Sequence, residues 1–105
     1  MINHLVLLKL KPTTSVQERG QLIAQWTALA EQIEGIVQIQ VYEDILHTED
    51  SFDLGMFVTF TDKAGLRRYG ENPDRQAVSA LTRSLCERVV LFDYEINRPL
   101  CIFLL

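Results

Sequence analysis

The chain has 105 residues, 48% apolar and 23% charged, which bounds it to one globular domain with room for a modest core. Its formal net charge of -4 excludes a binder of phosphate backbones, because Lys9, Lys11, Arg67, Arg68, Arg83 and Arg88 are interleaved with acids and form no run. The opening Met1-Ile2-Asn3-His4 lacks a basic leader, no apolar stretch nears the roughly 18 residues that cross a bilayer, and Cys86 and Cys101 make neither a disulfide framework nor a metal site.

Residues 2–11 alternate with a period of two, placing His4, Val6, Leu8 and Leu10 on one face and Leu5, Leu7 and Lys9 on the other. Both faces are apolar, so this strand is expected to be central and covered on both sides. After Pro12, Ser15 and Glu18 form a capping box that opens a helix carrying Leu22, Ile23, Trp26, Leu29, Ala30 and Ile33, with Gly35 as its stop. A second strand is expected from Ile36 to about Leu46, with Ile39, Val41 and Ile45 opposite Gln38, Gln40 and Tyr42. His47 to Ser51 reads as a polar hairpin loop. From Phe52 to Thr61 a third strand puts Phe52, Leu54, Met56, Val58 and Phe60 on one face and Gly55, Phe57 and Thr59 on the other. Asp62 caps a short helix containing Ala64, Leu66 and Tyr69, ended by Gly70. Asn72 caps the next, which starts at Pro73 and runs to about Glu87 with Val78, Leu81 and Leu85 on one stripe. Val89 to Ile96 gives the fourth strand.

The order β-α-β-β-α-β predicts an α+β, ferredoxin-like protomer, a four-stranded antiparallel sheet with its helices on one face. Leu5, Leu7 and Phe57 then lie on the uncovered face, and a second copy of the chain is the expected cover. Residues 1–96 form this domain; residues 97–105 form an apolar C-terminal tail, expected to be ordered and buried at the dimer seam or the cleft mouth, or to drive assembly beyond a dimer.

The stretch Tyr69-Gly70-Glu71-Asn72-Pro73-Asp74-Arg75, with His4-Leu5-Val6-Leu7-Leu8-Lys9-Leu10-Lys11, Gly35 and Leu91-Phe92-Asp93-Tyr94-Glu95, resembles the stress-responsive A/B barrel (Dabb) family. The resemblance covers roughly residues 2–95 and implies a dimeric α/β barrel in which two ferredoxin-like sheets join. The family typically writes a Tyr, two residues, then His-Pro-x-His; here the Tyr and Pro stand, and both imidazoles are replaced, by Asn72 and Arg75. Some members are plant polyketide cyclases that use a His–Tyr pair in a cleft between sheet and helices. Carried over by position, the Tyr is Tyr69, the His falls on Arg75, and the strand His that lines the cleft is His4. The apolar wall positions implied are Val6, Leu8, Leu22, Ile23, Trp26, Met56, Val58, Val78, Leu81, Val89 and Leu91.

Arg75 cannot act as the cyclase base: imidazole titrates near about 6.5, whereas a guanidinium stays charged below about 12. It can stabilise an oxyanion or clamp a carboxylate. Plain structural roles stand beside these: His4 as a satisfied core histidine, Tyr69 and Trp26 as core aromatics, Arg75 as a surface ion-pair partner, Asn72 as a cap. The leading expectation is a cytoplasmic homodimer that binds a small, largely apolar metabolite, with no cofactor, metal, nucleic acid or membrane. The alternatives are a cofactorless cyclase, lyase or monooxygenase-like enzyme using His4 and Tyr69, and a stress-associated structural oligomer.

Overall fold

The elements follow as β1 (Ile2–Leu10), α1 (Val16–Gln32), β2 (Ile36–Glu43), β3 (Leu54–Phe60), α2 (Lys63–Glu71), α3 (Pro73–Leu85) and β4 (Cys86–Glu95) in the computed structural model, which describes residues 1–103. One antiparallel sheet of order β2-β3-β1-β4 gives the expected ferredoxin-like α+β fold with β1 at its centre. The second crossover is two helices rather than one. Asn72 ends α2 with its backbone N–H on the Tyr69 carbonyl, then caps α3 by accepting from the N–H groups of Asp74 and Arg75 at 2.9 and 3.1 Å. Pro73 occupies the first turn of α3, where its missing N–H costs nothing.

The other helix starts are as local as the sequence implies. Ser15 and Glu18 complete their capping box at 3.0 and 2.9 Å, and the Asp62 carboxylate accepts from Gly65 N–H at 2.9 Å. Gly35 turns the chain into β2 at φ 97°, and a side chain there would meet an Arg68 guanidinium nitrogen at 2.8 Å.

Register decides which residues meet. His4 pairs with Val58 and Asp93, Val6 with Met56 and Leu91, and Leu8 with Leu54 and Val89, so these share the helix-covered face. Against them pack Leu22, Trp26, Leu29 and Ile33 of α1, Tyr69 of α2, and Val78 and Leu85 of α3, all buried. On the opposite face Leu5, Leu7 and Phe57 are half-buried and Phe92 and Tyr42 exposed. A polar row crosses this open face: the Thr59 hydroxyl donates to Asn3 Oδ1 at 2.7 Å, and Asn3 Nδ2 donates to the Tyr94 hydroxyl at 2.9 Å.

Several boundaries differ from expectation for identifiable reasons. β2 stops at Glu43 because Asp44 folds back to accept from His47 N–H at 2.6 Å, with His47 at φ 54°; Ile45, expected on the inner face, lies exposed in that turn. β3 begins at Leu54, and Phe52 lies outside it beneath the Arg88 guanidinium, 5.7 Å from the ring centre. α2 runs through Gly70 to Glu71. α3 ends at Leu85, short of Glu87, since the Leu85 carbonyl is taken by Lys11 N–H and the Thr14 hydroxyl at 2.9 and 2.8 Å, and β4 starts at once from Cys86. The tail departs after Ile96 N–H donates to the Met1 carbonyl at 3.0 Å, as Arg98 N–H turns back to the Glu95 carbonyl at 3.4 Å. Leu100, Ile102 and Phe103 are exposed on the protomer rather than buried against it; Leu104 and Leu105 lie outside the described residues.

Candidate functional site

Strand β1 holds His4 near its start, 5% exposed, under the last turn of α2 and the first turn of α3. Its Nδ1 contacts Asp93 Oδ1 of β4, the residue directly opposite in the register. With Nδ1 committed to a carboxylate, Nε2 is the ring nitrogen left to accept a proton. The Asp93 side chain is 44% exposed, so the couple reaches from solvent into the protein. Asp93 was not singled out from the sequence; the signal that finds it is the antiparallel pairing of the first and last strands.

Tyr69 of α2 is 1% exposed, its ring edge-on to His4 and Phe60 at centroid distances of 5.7 and 5.2 Å. The Tyr69 hydroxyl is buried with no hydrogen-bond partner. Burial pushes its pKa up to about 12; the neighbouring Arg75 charge pulls the other way and loses. Tyr69 is therefore a neutral phenol at physiological pH, a donor and not a base. The Arg75 guanidinium lies over the Tyr69 ring at 5.3 Å, beside the hydroxyl but outside hydrogen-bonding geometry, and its Nε is also buried without a partner. Stacked there, Arg75 covers Tyr69 from the cleft.

A cavity of about 20 Å³ opens here, lined by His4, Val6, Trp26, Arg75, Ser79, Thr82, Arg83, Val89 and Leu91. That volume admits about one water or a single small functional group. Of the apolar wall positions inferred from the sequence, Val6, Trp26, Val89 and Leu91 line it, whereas Leu8, Leu22, Met56, Val58 and Val78 are core and Ile23 and Leu81 pack against the core from its edge. Thr82, unforeseen, fixes one wall. Its buried hydroxyl accepts from Trp26 Nε1 at 2.9 Å and donates to the Val78 carbonyl at 2.8 Å, which uses up its single proton.

A larger, open depression of about 390 Å³ lies at the far end of the sheet between Lys9, Phe52, Glu87 and Arg88. Its lysine is already engaged: Lys9 donates to the Ser51 carbonyl at 3.0 Å and approaches Asp53 at 3.8 Å, while Arg88 lies over the Phe52 ring. Among the described residues no three His, Cys, Asp or Glu side chains converge to hold a metal, and no helix is long and apolar enough to cross a membrane. Burial raises the pKa of the Cys86 thiol, which disfavours its nucleophilic form.

The model of the stress responsive A/B barrel domain family matches residues 2–96. No curated protein matches. Solved structures superpose closely. A Passiflora edulis hydroxynitrile lyase is 20% identical with a TM-score of 0.86, over 95% of this chain and 96% of that one. An Arabidopsis thaliana protein is 20% identical with a TM-score of 0.83, over 99% and 100%. A dimeric ferredoxin-like protein of unknown function from Thermobifida fusca is 19% identical with a TM-score of 0.80, over 90% of each chain. At these identities the likeness establishes the fold.

Proposed function

Because this chain belongs to the stress responsive A/B barrel domain family, we propose that it works as a homodimer and takes a small molecule into the cleft between β1, β4, α1 and α3. The observation that carries this reading is the His4–Asp93 couple, a buried imidazole oriented by a carboxylate beside an apolar wall of Val6, Trp26, Val89 and Leu91. The cavity receives one functional group, and the apolar body of the ligand rests at the mouth on Leu91, which is 50% exposed. Trp26 is the only tryptophan, so its emission reports on the cleft. Neutral aromatic carbonyl compounds, benzaldehyde first, should change that emission saturably; emission indifferent to every small-molecule probe overturns the reading.

Dimerisation is supported by the apolar open face and by the dimeric T. fusca neighbour. Light scattering should give twice the protomer mass, and Leu7→Glu should abolish the dimer, because it places a charge at the centre of that face. A parent protein that is monomeric at micromolar concentration sinks this half of the proposal.

A second reading, cofactor-free proton transfer of lyase type, is favoured by the same couple and suggested by the hydroxynitrile lyase among the neighbours. With an α-hydroxynitrile, His4 Nε2 takes the hydroxyl proton, the carbon–nitrile bond breaks as the carbonyl forms, and cyanide leaves to be protonated by the imidazolium. Mandelonitrile should then release benzaldehyde faster than in buffer, and His4→Ala should remove the excess rate. Equal rates with and without His4 exclude this chemistry. The cyclase role of the family His does not extend to Arg75, which cannot accept a proton.

A further inference from the structure

The polar groups around the cleft are unevenly satisfied. Thr82 spends its proton on Val78 while accepting from Trp26, and Asp93 accepts from His4. Of the groups that remain, His4 Nε2 accepts, the Ser79 hydroxyl can do either, and the two guanidinium groups only donate. Arg75 and Arg83 line the cavity with no carboxylate within 4.0 Å among the described residues, and Ser79 lines it between them. Positions 75, 79 and 83 are spaced by four, so they form one stripe along α3. Deeper still, Arg75 Nε and the Tyr69 hydroxyl are buried beside one another, and neither makes a well-formed hydrogen bond. A wall with two guanidinium groups that no carboxylate pairs favours a ligand that brings acceptors and negative charge. Asp93 does not cancel this, because it is not among the side chains that line the cavity and two guanidinium groups outnumber it.

We propose that the cleft is a carboxylate-binding site, in which Arg75, Ser79 and Arg83 hold the carboxylate of a small organic acid whose apolar body lies on Trp26, Val89 and Leu91. The proposal deepens the small-molecule reading above and rests on it. Size argues for a carboxylate over a phosphate: a cavity of about 20 Å³ takes a flat pair of oxygens more readily than a tetrahedral group with three. Shape argues likewise, since a guanidinium presents two parallel N–H groups that match a carboxylate. When the acid binds, Arg75 turns from the Tyr69 ring toward the ligand, which opens the Tyr69 hydroxyl as a further donor to the same oxygens.

The test is titration of the full-length protein with sodium benzoate and sodium hexanoate, followed by Trp26 emission and by calorimetry. The isosteric benzamide and hexanamide, and inorganic phosphate, are run beside them. At least one acid should bind saturably, with its amide at least roughly tenfold weaker and phosphate not competing; Arg75→Gln should weaken the acid by roughly tenfold to a hundredfold, and the exposed Arg83→Gln by less. Arg83→Gln guards against a misfolded Arg75→Gln, since Arg83 lies at the surface. Amides that bind as well as the acids overturn the carboxylate preference and leave the small-molecule cleft standing. Phosphate that displaces the acids overturns it in favour of general anion binding. If no probe of any charge moves Trp26 or releases heat, both this proposal and the reading beneath it fail.

Discussion

The two faces of the sheet carry similar apolar side chains and end differently. Under the helices, Val6, Leu8, Met56, Val58 and Phe60 are sealed by α1, α2 and α3, and the polar groups there are either satisfied, like Thr82, or left facing one small cavity, like Arg75. On the open face Leu5, Leu7, Phe57 and Phe92 lie to one side of the row Thr59–Asn3–Tyr94, whose bonds are made within the protomer. One face is completed by its own chain; the other is left open in the protomer. Hydrophobicity alone does not separate a core from an interface, but the state of the polar groups within it does.

Phe60 gives the largest effect expected on the sealed face. It is fully buried, edge-on to Tyr69, and its ring is 3.5 Å from where a Gly65 side chain would begin. Phe60→Ala should cost about 3–5 kcal/mol in denaturant unfolding, because the packed layers around it cannot collapse into the void. A loss below about 1 kcal/mol would mean that this face is not the sealed one.

Alkaline stability comes next. The Tyr69 pKa is pushed from 10.0 to about 12 by burial, so the folded state holds its proton where the unfolded state has lost it. Stability is then full below about pH 10 and falls as pH rises from about 10 to about 12, by on the order of 2–3 kcal/mol. Tyr69→Phe should remove this part of the alkaline loss. Arg75→Gln should push the Tyr69 pKa higher still, because the charge that lowers it is gone. Ultraviolet titration of tyrosine follows both.

How much of this was legible in the sequence depends on the distance over which each feature is made. The caps at Ser15, Asp62 and Asn72 are agreements among neighbours, and all three form as expected. The strand faces follow from the period of two, which also made the open face visible. Periodicity assigns a face and not a depth, so Leu8, Leu22, Met56 and Val58 could not be told in advance from the true cavity wall of Val6, Trp26, Val89 and Leu91. The His4–Asp93 contact joins residues 89 apart, and the Trp26–Thr82 bond residues 56 apart; neither leaves a local trace. Arg75 read as the loss of a base. That it stacks on Tyr69 and narrows the cleft is a property of packing, which a motif does not encode.

Thr82→Val isolates the polar satisfaction of the sealed face. The change keeps shape and removes the acceptor of Trp26 Nε1, leaving a buried N–H unpaired at a cost of about 1–3 kcal/mol. In a Trp26→Phe background, where no donor is orphaned, Thr82→Val should cost much less, which a double-mutant cycle measures. Additive losses would show that the bond contributes nothing beyond packing.

Asn3 makes the matching bonds on the open face, and its cost measures whether that face is covered. In an isolated protomer Asn3 and Tyr94 are partly exposed and truncating Asn3 lets water reach the buried Thr59 hydroxyl, so Asn3→Ala should cost only about 0.5 kcal/mol. Under a second copy water is excluded, the Tyr94 hydroxyl and the Thr59 hydroxyl both lose Asn3, and the cost should rise to about 1–2 kcal/mol. The comparison needs both states of one protein. Leu7→Glu supplies the protomer, and dilution series of the parent supply the dimer. If Asn3→Ala costs the same in the Leu7→Glu background as in the concentrated parent, no partner dries this face. If the cost falls toward zero only when the dimer is lost, the polar row works as a key inside the interface, and the open face becomes as finished as the sealed one once two chains meet.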